Sequence, residues 1–380
     1  MKVLMTADTV GGVWTYAMQL ARALAPAGVE IELATMGAPL SPDQRAQLRE
    51  CPRLTVHESS FRLEWMLGAE VDVARAGDWL LGLARRTRPD VVHLNAYAHA
   101  ALPWDAPALV GAHSCVLSWW QAVHGCAAPK EWNWYRATVE RGLASAAAVV
   151  TPTLAFLKAL RSHYGFASPA CVIPNGLDPE PRPWPLDSLH RAAHPERWTQ
   201  PMILAAGRLW DEAKNMSALA EAARHIDAPV RVAGSTLHPA GEQRPLSGLQ
   251  ALGVLPRTEL RRWYGRAALL VHPAVYEPFG LAPLEAALSG CALVLGDIAS
   301  LREVWGDAAV YVPPRDPAAI ATSVNHLIHD ADALAARAQA AQRRARGFSA
   351  RRMAKAYLEM YHALGAGAAP LRREVITCAS

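Results

Sequence analysis

The sequence predicts an α/β protein with two Rossmann-like, doubly wound domains that face each other across a cleft. Its 380 residues are more than a single hydrophobic core usually supports. Short β-like runs alternate with longer amphipathic stretches, which is typical of a parallel sheet with crossover helices. The alternation stops in a proline-rich segment and then starts again, so we expect two such units in succession.

The first domain is expected to span residues 1–178. Its predicted strands lie at residues 3–7, 30–35, 90–95, 109–113, 148–151 and 170–174. Its predicted helices lie around residues 16–25, 71–86, 131–144 and 154–164. Prolines recur through residues 179–200, and because proline blocks regular strand pairing, we interpret this segment as an interdomain linker.

The second domain is expected to span residues 201–350. Its predicted strands lie at residues 202–206, 230–233, 269–272, 292–296 and 309–312. Its predicted helices follow Asn215, Thr258, Leu281, Leu301, Pro317 and Ala331. Residues 351–380 are predicted to form a helical tail that could pack back on the N-terminal domain.

Composition and charge exclude several classes of protein. Apolar residues make up 52% of the chain and charged residues 19%, so we expect it to be globular throughout. The net charge of +4 is mild and the arginines are scattered, which does not indicate a nucleic-acid-binding protein. Six widely spaced cysteines are expected to be reduced thiols, as in a cytoplasmic protein.

Membrane spanning and secretion are not expected, because no run approaches about 18 apolar residues and the N-terminus lacks a signal core. A short arginine cluster, Arg85, Arg86 and Arg88, could touch an anionic membrane surface at the inner face of the membrane. A solvated helix face explains the same cluster.

Function is expected in the loops that follow the strands, because ligands of doubly wound sheets bind at the carboxyl ends of the strands. The first such loop contains Gly11 and Gly12, directly before a helix. Paired glycines let backbone amides approach an anionic group at the positive end of a helix. A plain turn explains the pair almost as well, since no complete phosphate-binding motif accompanies it.

A second loop of the first domain carries His113, followed by Trp119 and Trp120. A histidine that leaves a strand can hydrogen bond to a sugar hydroxyl, and tryptophans offer flat apolar faces on which sugars stack. Each of these side chains could instead be a buried structural group.

In the second domain, Gly207, Arg208 and Lys214 lie between a strand and a helix. A guanidinium and an ammonium group six residues apart could together neutralise a diphosphate. Solvated surface charge is the alternative interpretation. The position of the loop at a strand end favours binding.

The segment from Glu277 to Glu285 carries the clearest signal. Its turn is expected to leave the backbone amides of Phe279, Gly280 and Leu281 available for phosphate at a helix N-terminus. Glu285, expected in the first turn of that helix, could accept hydrogen bonds from a ribose, while Glu277 could reach a sugar. The helix dipole alone would explain a single glutamate, but not the pair around Phe-Gly.

These segments together resemble the family-4 retaining glycosyltransferases, which have the two-domain GT-B fold. The resemblance covers nearly the whole chain and rests on Gly11-Gly12, residues 172–178, Gly207-Arg208-Leu209 with Lys214, and the Glu-x7-Glu segment. It implies that Glu285 holds the nucleotide ribose and that Arg208 and Lys214 hold the diphosphate. It also implies sugar or phosphate contacts for Glu277, His113, Gly12 and the amides of Phe279 to Leu281.

The implied activity is transfer of a hexose from a nucleoside-diphosphate sugar to an unidentified acceptor. The acceptor could be a glycan, a lipid-linked molecule or a small molecule, in polysaccharide or glycoconjugate synthesis. Trp14, Trp119 and Trp120 are the candidate acceptor contacts. No metal or other cofactor is expected, because Arg208 and Lys214 would meet the charge of the diphosphate. The only Asp-x-Asp match, Asp330 to Asp332, is interpreted as a helix cap.

Other functions remain open from the sequence. A GT-B protein that only binds sugar nucleotides, or an epimerase, would share the fold. A phosphorylase of the pyridoxal phosphate type would be much longer, and Lys355 lacks a fitting context. A dinucleotide oxidoreductase would need a complete glycine-rich fingerprint, which Gly11-Gly12 does not supply. The donor base and sugar, the acceptor, the linkage and the oligomeric state are not predicted.

Overall fold

A computed structural model describes residues 1–178, 201–238, 241 and 248–367. The segment that we interpret as a linker, residues 179–200, lies outside the described residues, as does Cys378. The described residues form two compact units, one of residues 1–178 with 349–367 and one of residues 201–348. Each unit has one parallel sheet, which confirms the predicted class of two parallel-sheet α/β domains.

The first unit has seven described strands, all paired in parallel. They are β1 (Lys2–Asp8), β2 (Glu30–Met36), β3 (Leu54–Glu58), β4 (Val91–Leu94), β5 (Ala108–Gly111), β6 (Ala148–Thr151) and β7 (Ala170–Val172). Their order across the sheet is β3-β2-β1-β4-β5-β6-β7. Every residue of the central strands β4, β5 and β6 is buried, as expected for a parallel sheet covered on both faces.

Seven helices accompany this sheet in the described residues. They are α1 (Gly12–Leu24), α2 (Pro42–Leu48), α3 (Glu70–Thr87), α4 (Val116–His124), α5 (Asn133–Ser145), α6 (Leu154–Tyr164) and, at the end of the chain, α13 (Ala350–Gly365). Local caps determine several helix starts. Ser41 and Gln44 form a reciprocal capping box on α2, and Thr153 and Ser349 accept backbone N–H groups of α6 and α13.

Helix α13 is part of the core of the first unit. Its residues Met353, Tyr357 and Tyr361 are buried in the same hydrophobic cluster as strand β1. The chain before the linker also meets this helix, since Asp178 Oδ1 accepts the N–H of Ala350 at 3.0 Å. The structure therefore assigns residues from 349 onward to the first unit, two residues earlier than the predicted start of the tail.

The second unit has six described strands, again all parallel. They are β8 (Ile203–Ala206), β9 (Val230–Ala233), β10 (Gln250–Gly253), β11 (Leu269–His272), β12 (Ala292–Gly296) and β13 (Val310–Val312). The order β10-β9-β8-β11-β12-β13 is the Rossmann order, in which the third, second and first strands precede the fourth, fifth and sixth. The strand order reverses between β8 and β11, and ligands of such sheets bind at this point.

Six helices belong to the second unit in the described residues. They are α7 (Met216–Ala222), α8 (Arg257–Arg266), α9 (Leu281–Leu288), α10 (Ala299–Trp305), α11 (Pro317–His329) and α12 (Ala331–Ala345). Asp330 caps α12 by accepting the N–H of Ala333 at 2.9 Å. This is the cap that the Asp-x-Asp segment was expected to supply.

Four strands and helices of the structure are not predicted from the sequence: β3, β10, α2 and α4. Strands β3 and β10 lie at sheet edges, and no residue of either strand is buried. Helix α2 buries no residue either. The hydrophobic periodicity that reveals the other elements is therefore missing from these three.

Candidate active site

The loops that follow β8 and β11 meet at the reversal point of the second sheet. Asn215, with φ of +55°, directs its side-chain amide to the carbonyl oxygens of Pro273 and Pro314. The bond to Pro273 is 3.1 Å long. The N–H of Val275 donates to Ala213 O at 2.9 Å. These bonds tie together the loops after β8, β11 and β13.

Two glycines allow the backbones at this edge to approach closely. A Cβ atom on Gly234, which has φ of +142°, would lie 1.8 Å from Gly207 O. A Cβ atom on Gly296 would lie 2.3 Å from Ala274 O. No other residue fits at either position without displacing the loop that carries Arg208 or the loop that carries Glu277.

Arg208 is held by a buried carboxylate but stays accessible. Its Nη2 lies 2.8 Å from Asp211 Oδ2, and Asp211 Oδ1 accepts the N–H of Ala213 at 3.0 Å. The side chain of Arg208 is 38% exposed, whereas that of Asp211 is 4% exposed. The guanidinium is therefore oriented on one side and can donate to an anionic ligand on the other.

Lys214 and Glu277 form an ion pair, with Lys214 Nζ 2.7 Å from Glu277 Oε2. His272 Nε2 lies 3.2 Å from the same oxygen. The side chains of Lys214 and Glu277 are only 13% and 14% exposed. Ser300 Oγ donates to the backbone carbonyl of Glu277 at 2.5 Å, so main chain and side chain of Glu277 are both restrained.

The protonation states in this cluster follow from its charges. Burial raises the pKa of Glu277, but the charge of Lys214 and the hydrogen bond from His272 outweigh burial and hold the pKa well below its usual range. Burial lowers the pKa of His272. A carboxylate only accepts hydrogen bonds, so the neutral imidazole of His272 must carry its proton on Nε2.

The segment that opens helix α9 presents backbone rather than side chains. Phe279 is buried and packs edge-on against Phe348, with ring centroids 5.6 Å apart. Gly280, with φ of +94°, precedes the first helical residue, Leu281. The N–H groups of the first helical turn have no partner within the helix, so this segment can offer amides to an anion.

Glu285 lies on the second turn of α9, not on the first turn as predicted. The helix begins at Leu281, so Glu285 is its fifth residue. Burial raises the pKa of Glu285, and the charges of Arg257 and Arg261 on α8 act in the opposite direction. The carboxylate therefore lies between α9 and the basic helix α8. The sequence does not predict this contact with α8.

In the first unit, His113 and Gly12 lie at the carboxyl edge of the sheet. Gly12 is the first residue of α1, which follows β1. His113 follows β5, is half-buried, and has its Nε2 2.8 Å from Asn95 Oδ1. Its ring centroid lies 4.3 Å from that of Tyr16, and burial lowers the pKa of His113 to about 4.

The three candidate tryptophans differ in their surroundings. Trp14, a candidate acceptor contact, is 4% exposed in the core and its Nε1 donates to Gln47 Oε1 at 2.9 Å, so its ring presents almost no surface to an acceptor. Trp119 and Trp120 lie on α4, half-buried, with ring centroids 6.0 Å apart. Their rings also pack against His124, and acceptor contact by these two remains a prediction.

Sequence reasoning missed four residues whose side chains hydrogen bond to site residues or loops at the carboxyl edges of the two sheets: Asp211, Asn215, His272 and Asn95. Each lies at or shortly after the carboxyl end of a predicted strand. Strand-end position was therefore an available signal, but it does not identify the partner. Lys214 and Glu277 themselves are brought together from 63 positions apart.

Other features of the described residues concern metals, membranes and thiols. No group of three or more His, Cys, Asp or Glu side chains in the described ranges could hold a metal ion. Across the same ranges, no helix has the length and apolarity needed to cross a membrane. Cys51, Cys115, Cys126, Cys171 and Cys291 form no disulfide bond with one another. Arg85, Arg86 and Arg88 are exposed at the end of α3.

Sequence comparisons identify relatives for both units. The profile described as Glycosyltransferase Family 4 matches residues 10–181, and the profile described as Glycosyl transferases group 1 matches residues 200–330. Glycogen synthase of Mycobacterium tuberculosis is 28% identical over 376 residues, covering 88% of this chain and 86% of that protein. D-inositol 3-phosphate glycosyltransferase of Xylanimonas cellulosilytica is 28% identical over 390 residues, covering 92% and 91%.

Solved structures share the fold over almost the whole chain. Sucrose-phosphate synthase of Thermosynechococcus elongatus superposes with a TM-score of 0.78 at 18% identity, covering 97% of this chain and 100% of that chain. HepE of Anabaena, in complex with UDP and glucose, gives a TM-score of 0.71 at 17% identity, covering 96% and 100%. With both units matched by glycosyltransferase profiles and the fold shared with glycosyltransferases, the chain is a glycosyltransferase enzyme with the GT-B fold.

Proposed function

We propose that the chain is a family-4 retaining glycosyltransferase that moves a hexose from a nucleoside-diphosphate sugar to an acceptor without a metal ion. The observation that carries the proposal is the part-buried pair of Lys214 and Glu277, 2.7 Å apart at the reversal point of a Rossmann sheet, with Arg208 in the same loop as Lys214. This arrangement puts cations for a diphosphate next to a carboxylate for a sugar. A binding site for a nucleotide alone would need only the cations.

The leaving group determines what the cations would do. Breaking the anomeric bond leaves negative charge growing on the nucleoside diphosphate, so groups that bind this charge favour the transition state over the ground state. Arg208, Lys214 and the amides of Phe279 to Leu281 are proposed for this role. Glu285 is proposed to bind the ribose, and Gly12 and Gly207 to let backbone amides approach the phosphates.

Glu277 is proposed as a hydrogen-bond acceptor for hydroxyls of the donor sugar. Its pKa is held low, and a carboxylate of low basicity with two hydrogen bonds on one oxygen is a poor nucleophile. Retention would then follow from attack of the acceptor hydroxyl on the same face as the leaving group, with its proton passing to the departing phosphate. Two carboxylates flanking the bond, as in glycosidases, are not required.

The acceptor is to be found by experiment, and the relatives supply the first compounds to try. One relative is named glycogen synthase and another D-inositol 3-phosphate glycosyltransferase. A panel should therefore include glycogen, maltooligosaccharides, inositol 3-phosphate and hexose 6-phosphates. Trp119 and Trp120 are the proposed acceptor contacts in the first unit.

The test combines binding with turnover. Uridine, adenosine and guanosine diphosphates and their glucose and mannose derivatives are added to the protein in a thermal unfolding assay. A donor present at a hundredfold excess over its Kd should raise Tm by roughly 5–10 °C. Release of nucleoside diphosphate in the presence of one of the acceptors supports transfer. Stabilisation without turnover on any donor and acceptor would replace the proposal with a binding protein or an epimerase.

A further inference from the structure

Asn95 connects β1 with the loop that carries His113. Its backbone N–H donates to Thr6 Oγ1 at 2.9 Å, and its side-chain Nδ2 donates to Thr6 O at 2.7 Å. At the other end of the same amide, Oδ1 lies 2.8 Å from His113 Nε2. Thr6 is a buried residue of β1, so the side chain of Asn95 is held from a rigid part of the sheet.

The bond to Thr6 decides the direction of the bond to His113. A carbonyl oxygen only accepts, so the end of the amide that faces Thr6 O must be its NH2 group. The opposite end, which faces the imidazole, is then the carbonyl oxygen. Because that oxygen also only accepts, Nε2 of His113 must carry a hydrogen and donate it.

The protonation state of the second ring nitrogen, Nδ1, follows from the charge of the His113 imidazole. Burial lowers the pKa of His113 to about 4, so the imidazole is neutral at pH 7 and carries one hydrogen. That hydrogen is on Nε2, so Nδ1 has a free lone pair. In the part of the chain that the structure describes, Nδ1 has no hydrogen-bond partner. The titratable groups that face the ring are Tyr16 of α1 and His93 of β4.

We propose that Asn95 is a positioning residue that holds His113 as its Nε2–H tautomer, so that Nδ1 accepts a hydrogen bond from a hydroxyl of the donor sugar. The inference rests on the proposed function, in which His113 contacts the sugar. It adds a direction to that contact: the sugar must supply the hydrogen. A sugar with an acceptor-only substituent at this position would lose the bond.

Gly111, the last residue of β5, leaves room for the side-chain amide of Asn95 because it has no Cβ atom. A Cβ atom at this position would lie 2.6 Å from Asn95 Oδ1 and 2.9 Å from His93 Nε2. Gly111→Ala would therefore push the Asn95 amide away from His113 without changing either of the two bonding side chains. This substitution offers a second way to weaken the same contact.

The tautomer is tested on the protein alone by 15N NMR after labelling with [15N]histidine. The signals of His113 are assigned by their loss in His113→Gln. At pH 7 we expect Nε2 to show the shift of a protonated nitrogen and Nδ1 that of an unprotonated one. In Asn95→Leu we expect the hydrogen on Nε2 to exchange faster with water. A hydrogen on Nδ1 in the wild-type protein would overturn the proposal, whatever the outcome for transfer.

The link to the sugar is tested by combining substitutions, with the sugar nucleotide that gives turnover as donor. Asn95→Leu and His113→Leu should each lower kcat/KM by about tenfold, which is typical for one hydrogen bond to a neutral group. If Asn95 acts through His113, the double variant should lose no more than His113→Leu alone. If the double variant loses the product of the two single losses in kcat/KM, Asn95 has a separate structural role and the proposal is overturned.

Deoxyfluoro donors identify the hydroxyl, because fluorine cannot donate a hydrogen bond. At the position that faces His113, the fluorinated donor should react about equally with wild-type protein, Asn95→Leu and Gly111→Ala. If NMR shows the Nε2–H tautomer but neither His113→Leu nor any fluorinated donor changes kcat/KM, the sugar contact is wrong. The failure would then lie in the proposed role of His113, not in the tautomer.

Discussion

One oxygen of Glu277 accepts hydrogen bonds from two donors, the part-buried Lys214 at 2.7 Å and the buried His272 at 3.2 Å. The sequence predicted a role for Glu277 and Lys214 separately, because each lies in a loop between a strand and a helix. It could not predict their contact, since 63 positions separate them and only the pairing of β8 with β11 brings them together. His272 was indistinguishable from an ordinary strand residue.

The ionised state of Glu277 leads to a pH-dependent prediction for Glu277→Gln. Removing the carboxylate leaves the charge of Lys214 unpaired, so the free energy of unfolding at pH 7 should fall by about 3 kcal/mol. The pKa of Glu277 is lowered in the folded protein, so its stabilisation is complete above the unfolded pKa of about 4.3. It is lost as the pH falls through the folded pKa.

Urea unfolding of wild-type protein and Glu277→Gln, measured from pH 7 to pH 3, checks this prediction. The difference in unfolding free energy should be constant at neutral pH and should shrink below about pH 4. A difference that stays the same throughout the range would show that the ionised pair is not what stabilises the fold. Titrating groups that do not contact Glu277 are the same in both proteins, so these groups cancel in the comparison.

Arg208 and Glu285 are expected to affect different steps. Glu285→Ala should weaken binding of the nucleoside diphosphate by about tenfold, because it removes the proposed acceptor for two ribose hydroxyls. Calorimetric titration measures this Kd directly. Glu221→Ala, an exposed glutamate on α7, serves as the control and should leave Kd unchanged. An unchanged Kd for Glu285→Ala would remove this residue from the proposed site.

Arg208→Ala should mainly slow transfer, since its guanidinium would bind charge that grows in the transition state. We expect kcat to fall by about a hundredfold, with a smaller change in the Kd of the donor. Steady-state kinetics with the identified donor and acceptor measure both. Arg224→Ala, an exposed arginine of the same unit, is the matched control. Wild-type kcat in Arg208→Ala would contradict the assigned role.

Among the helices, α13 shows what helix propensity can and cannot reveal. Its strong helix formers predicted a helix, and the structure has one at Ala350–Gly365. The unit to which it belongs depends on a close backbone contact that leaves little trace in sequence. Gly176 approaches this helix so closely that a Cβ atom would lie 2.2 Å from Ser349 O.

Gly176→Ala should therefore destabilise the first unit, because backbone cannot move aside as a flexible side chain can. A loss of about 1–3 kcal/mol is expected, as for other overpacked sites. Gly365→Ala is the control, since a Cβ atom there meets nothing within 4 Å. Thermal unfolding of the two variants checks the prediction, and equal Tm values would show that the contact between Gly176 and Ser349 relaxes at no cost.

Both units of the chain contain a parallel sheet with the same reversal of strand order, and this explains which predictions succeeded. In both sheets the first strand pairs with the fourth, so the loops after β1 and β4, and after β8 and β11, lie at reversal points. The sequence located the loops after β1, β8 and β11 because buried parallel strands are continuous apolar runs followed by glycine and polar residues. It did not locate the loop after β4, where Asn95 lies, nor the edge strands β3 and β10, which bury no residue.

Hydrogen exchange of the intact chain tests which of the proposed site residues in each unit the donor protects. If the second unit binds the nucleotide, a nucleoside diphosphate should slow exchange of the amides at residues 207–214 and 279–285, by about tenfold or more. The intact sugar nucleotide should add protection at residues 9–12 and 113–114 of the first unit, where Gly12 and His113 lie. The exposed end of α3 is an internal reference. If the diphosphate alone protects the first unit, the proposal that the second unit binds the nucleotide is wrong. If both ligands give identical protection, Gly12 and His113 do not belong to the sugar site.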